Sequence, residues 1–69
     1  MALPASVEDA FKRVRSAAEV LGKACYEAEQ PGVKADEERK KNAQKTIQQA
    51  ATELEVRAKQ LADAARKVR

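Results

Sequence analysis

The chain has 69 residues, 43% of them hydrophobic and 3% aromatic, with a net charge of +3. That length allows a single domain, and one cysteine with no histidine excludes an internal disulfide, a Cys/His zinc set and catalysis through imidazole. Fifteen of the thirty hydrophobic residues are alanine, so one copy has little area to bury and association is expected.

The opening Met-Ala-Leu-Pro-Ala-Ser has neither a basic n-region nor an apolar h-region. No apolar run approaches the roughly 20 residues that span a bilayer. With a single cysteine besides, the expectation is a soluble, cytoplasmic chain in a reducing compartment.

Helix 1 is expected over about residues 7–30. Pro4 precedes Ser6, and Ser6-Val7-Glu8-Asp9 resembles a capping box with Ser6 as the N-cap. Val7, Val14, Leu21 and Ala28 repeat every seven residues. Ala10, Ala17 and Ala24 run alongside, as do Phe11, Ala18 and Cys25. A stripe three positions wide suits a core-facing bundle helix. Val20 widens that face, Tyr26 lies off it, and Gly22 interrupts the helix. Cys25 reads as a small hydrophobe at the seam edge.

Gln30-Pro31-Gly32 ends the helix, and the turn is placed at residues 31–33. Helix 2 is expected over about residues 34–68, with Asp36, Glu37 and Glu38 at its positive dipole end and Arg66, Lys67 and Arg69 at the other. Its stripe is Ile47, Leu54, Leu61 and Val68, flanked by Ala50, Ala51, Ala58, Ala64 and Ala65. Lys40 and Arg57 break the repeat, and Val56 lies outside it.

A short turn makes the helices antiparallel neighbours, and alanine along both seams lets them approach closely. The fold expected is therefore all-α, a two-helix hairpin of coiled-coil character over residues 1–69, associating into a four-helix bundle. Helix 2 is the longer. With the turn at Pro31-Gly32, Val7 falls opposite the neighbourhood of Ala58, and Leu61, Ala65 and Val68 overhang with Leu3 and Met1 to cover them. The candidate interface is Val7, Phe11, Val14, Leu21, Ile47, Leu54, Leu61, Ala65 and Val68.

Eight of the eleven acids have a base four residues later, acid first, which is the favourable helical order. Most charge is thereby read as solvated helix surface. Lys12, Arg13, Arg15, Lys59, Arg66, Lys67 and Arg69 gather toward the open end as a candidate basic patch. Arg57 at a seam position is expected to pair with Glu8 across the hairpin or with Glu53, and to fix register.

No Gly-rich phosphate loop, Ser/His pair or Glu-x-x-His motif can be written, so the chain is read as non-catalytic, with no cofactor or metal. The function expected is protein binding as a small adaptor, chaperone or scaffold subunit. Its partner would be itself, as a homodimer, or an amphipathic helix of another protein. The alternative is a nucleic-acid-associated regulator using the basic open end. Two-helix proteins that dimerise into bundles include RNA binders, a parallel of architecture and not of sequence. Membrane-surface binding is disfavoured because the apolar face is mostly alanine and lacks tryptophan.

Overall fold

Proline at position 4 decides where the first helix begins. In the computed structural model, which describes residues 3–68, Pro4 holds φ −55° and ψ 145° and its carbonyl accepts from Val7 and Glu8 N–H at 3.0 Å. Helix α1 then runs Ala5–Ala28. No side chain caps it. Ser6 therefore lies inside the first turn and is not the N-cap that its spacing from Asp9 suggested. The reason is local. Proline is already extended, and alanine, the best helix former, continues the helix back to position 5.

The last turn of α1 tightens, with Glu29 N–H donating to Tyr26 O and Gln30 N–H to Glu27 O, each at 3.2 Å. The residue before a proline is pushed out of the helical region, and Gln30 accordingly takes φ −64° and ψ 139°. Its Nε2 adds a second donor to Tyr26 O at 3.3 Å, a last-turn carbonyl that also accepts from Glu29 N–H.

The reversal is not a simple Pro-Gly turn. Pro31 opens a one-turn helix, α2 (Pro31–Lys34), at the position where its missing N–H costs nothing. No described glycine has positive φ, so Gly32 serves here as an ordinary helical residue. Asp36 then caps helix α3 (Glu37–Arg66), its Oδ1 accepting from Glu38 N–H at 2.9 Å and Arg39 N–H at 3.1 Å. Such a cap is worth about 1 kcal/mol.

Two long helices, α1 and α3, pack on each other with α2 across one end. No strand occurs among the described residues. The described chain measures 52 × 18 × 10 Å, the shape of a flat two-helix slab. Because α2 uses residues 31–34, α3 starts about three residues later than the sequence implied. Val7 is 8% exposed, while Leu61, Ala62 and Ala64 are half-buried. At the end of α3, Ala65 is exposed and Val68 is 45% exposed.

Candidate interaction face

Each long helix carries a central row flanked by two edge rows. The central rows are Val7, Val14, Leu21, Ala28 and Ile47, Leu54, Leu61, Val68. One pair of edges holds Ala10, Ala17, Ala24 and Ala43, Ala50, Arg57, Ala64. The other pair holds Phe11, Ala18, Cys25 and Ala51, Ala58, Ala65.

The hairpin closes on the first pair of edges. Ala10, Ala17, Ala24 and Ala50 are buried, as is Val7, and these five make up the buried core of the described residues. Close approach of two backbones needs a methyl group there and nothing larger. On that side the helices leave an open groove of about 370 Å³. Arg13, Ser16, Ala17 and Val20 line it from α1, and Ala50, Glu53 and Arg57 from α3. Val20, 58% exposed, therefore belongs to the groove side and does not widen the central face.

With the first edges together on the groove side, the other edges share the opposite side. Phe11 is 49% exposed, and Ala18, Cys25, Ala58 and Ala65 are exposed as well. Cys25 is thus an open thiol at the outer edge, beyond the cover of the hairpin's own seam. Between these edges Val14, Leu21, Ile47, Leu54 and Leu61 are only half-buried. No large side chain of the described residues is fully buried. From Phe11 to Cys25 and from Ile47 to Ala65, the central and outer rows contain no charged residue. The result is an apolar face two helices wide. Singly exposed hydrophobics are ordinary, but a contiguous charge-free face is not.

The candidate interface residues thus divide. Val7 is spent inside the hairpin. Phe11, Val14, Leu21, Ile47, Leu54, Leu61 and Ala65 share the open face, and Val68 lies beyond its end. Sequence reasoning missed Ala18, Ala51 and Ala58 as interface candidates, although their seven-residue spacing from Phe11 and Ala65 was a usable signal.

Charged groups lie off this face. Lys12, Arg13, Arg15, Lys59, Arg66 and Lys67 are all exposed, and Arg69 lies outside the described residues, as does Met1. Of the eight acid-first pairs, Glu8–Lys12 at 3.6 Å and Glu53–Arg57 at 2.8 Å form ion pairs. Arg15 pairs with Glu19 at 3.7 Å and Arg66 with Asp63 at 3.7 Å instead. Exposed pairs of this kind contribute little.

Arg57 does not reach across to Glu8. Its Nε meets Glu53 one turn back, and its Nη1 donates to Gln60 Oε1 at 3.2 Å. Both partners belong to α3. A partner on the same helix is positioned by helical geometry alone, whereas a bond to Glu8 would have to order both helices first.

Among the described residues no group of three or more Cys, Asp or Glu side chains is placed to hold a metal ion, and no helix is long and apolar enough to cross a membrane. Comparison with family models, curated proteins and solved structures gives no match.

Proposed function

We propose that this protein is a non-catalytic assembly module that works by burying its apolar face against another helical surface, in the manner of a small adaptor, chaperone or scaffold subunit. One observation carries the reading. The five large aliphatics of the central rows, Val14, Leu21, Ile47, Leu54 and Leu61, stay half-buried on a charge-free side. Taking such a side chain from fully exposed to fully buried is worth about 1.5–3 kcal/mol, and covering the half that remains exposed gains a corresponding part of that at each position. The occupant is a helical surface because the face is long, flat and two helices wide, the form that completes a bundle.

The test is molar mass by light scattering across a wide concentration range, with helicity followed by circular dichroism. Mass that rises together with helicity supports the reading. A fully helical single chain at every concentration, with no affinity for an apolar fluorescent dye, would refute it.

A second reading rests on the open-end cations. Among the described residues Arg13, Lys59 and Lys67 have no carboxylate within ion-pair distance, in contrast to Lys12, Arg15 and Arg66. They would contact phosphate with the apolar face already closed. Binding to a nucleic-acid probe that falls steeply with salt supports this reading.

A further inference from the structure

We infer that the occupant of the apolar face is a second copy of this chain, and that the two hairpins close into a square bundle through the outer-edge rows. This rests on the association reading above and names the partner. The argument begins with residue pairs. At Ala17–Ala18, Ala24–Cys25, Ala50–Ala51 and Ala64–Ala65 two small residues stand side by side in sequence, spaced at multiples of seven. Adjacent residues point about 100° apart around a helix. The first member of each pair lies on the edge that the hairpin closes; Ala17, Ala24 and Ala50 are buried there. The second member points to the open side, where Ala18, Cys25 and Ala65 are exposed.

Each long helix therefore has two close-approach edges roughly 100° apart, with its large side chains between them. In a square of four helices the two neighbours of each helix lie at right angles, and large residues from all four meet at the centre. In a three-helix triangle the neighbours lie at a much sharper angle. The edge separation fits the square, which a second hairpin supplies and a single foreign helix does not.

Area and charge set the strength of the contact. The charge-free stretch from Ile47 to Ala65 is about 27 Å long, which at the slab's 18 Å width is about 490 Å² on each copy, the size of a small, reversible interface. A face without charge meets no like-charge repulsion when a two-fold contact sets it against its own copy. Phe11, at the same outer edge, supplies the aromatic anchor such contacts favour.

The experiment combines light scattering with the labelling rate of the Cys25 thiol on the intact chain. Two variants accompany it: Ala18→Glu on the open face and Val20→Glu on the groove side. The expected result is twice the chain mass, abolished by Ala18→Glu and kept by Val20→Glu. Cys25 labelling in the parent should slow by roughly tenfold as concentration rises through association, because a covered thiol is withheld from reagent. That labelling measurement stands even if Ala18→Glu fails to fold. A doubled mass lost in Val20→Glu but not in Ala18→Glu would place the contact on the groove side and overturn the inference. A mass of three or more chains would also overturn it. A single-chain mass throughout, with apolar dye bound by the parent and lost in Ala18→Glu, refutes the second copy but leaves the face as an association surface. A single-chain mass with no dye bound refutes both.

Discussion

Ala17 and Ala18 are identical in chemistry and adjacent in sequence, yet one is 7% exposed and the other faces solvent. The same contrast recurs between Ala24 and Cys25. On the groove side alanine is needed by the hairpin itself, because α1 and α3 touch there. On the open side the hairpin makes no such demand, and the small, uncharged residues there stay exposed. Burial here follows from angular position and not from residue type. The fold thus uses half of its apolar stripe and leaves the other half open to solvent.

The sharpest way to break that comparison is to enlarge both alanines. Ala17→Leu should lose about 1–3 kcal/mol of stability in urea denaturation, since added bulk at a closed contact forces the helices apart. Ala18→Leu, measured where the chain is dilute, should stay within about 0.5 kcal/mol of the parent, as exposed substitutions do. At concentrations that favour association it should weaken self-assembly. Equal losses for the two variants at every dilution would mean that the edges are not distinct.

The two helix starts provide a second contrast. Asp36 accepts two backbone N–H bonds, whereas α1 begins at Pro4 with no side-chain cap. Asp36→Ala should therefore cost about 1 kcal/mol and lower the melting temperature. Ser6→Ala should change stability by less than about 0.5 kcal/mol. A loss at Ser6 as large as that at Asp36 would restore the capping box.

Much of this arrangement was legible in the sequence. The rows through Val7 and Ile47 recur every seven residues over several turns, long enough for a helical period to show, and Gln30-Pro31-Gly32 interrupts them cleanly. What stayed hidden has physical causes. A four-residue helix such as α2 carries no period, so its presence and the later start of α3 could not be read. Pro31 at its first position was the one available cue. Nor could the closed edge be chosen, because alanine lines both sides of each central row. Arg57 had acids in reach on either helix, and spacing alone does not rank a cross-hairpin bond against one within α3.

A smaller effect, of opposite sign, is expected where the chain is locally unfavourable. Gly22 lies inside α1, and a methyl group added there would meet nothing within 4 Å. Gly22→Ala should raise stability by a little under about 1 kcal/mol, the usual difference in helix propensity, with helicity increased. This also tests whether Gly22 lies outside the contact. A gain in the dilute chain that is reversed on association would place it within reach of the second copy.

Arg57 gives the smallest effect and the most informative one, because it is the single large residue in the closed alanine rows. Its side chain is 33% exposed, its stem lies beside the groove, and its head is held by Glu53 and Gln60 of its own helix. Arg57→Leu removes both contacts but leaves Glu53 in solvent, where an unpaired carboxylate is well tolerated. Leucine is shorter than arginine, so the seam is not overfilled. The expected change in stability is within about 0.5 kcal/mol, typical for a partly exposed pair within one helix. The distance between labels on α1 and α3 should be unchanged. A loss above about 2 kcal/mol, or a shift of that distance by a helical turn, would show that Arg57 holds the helices in register. The groove side would then owe its closure to more than the alanines packed within it.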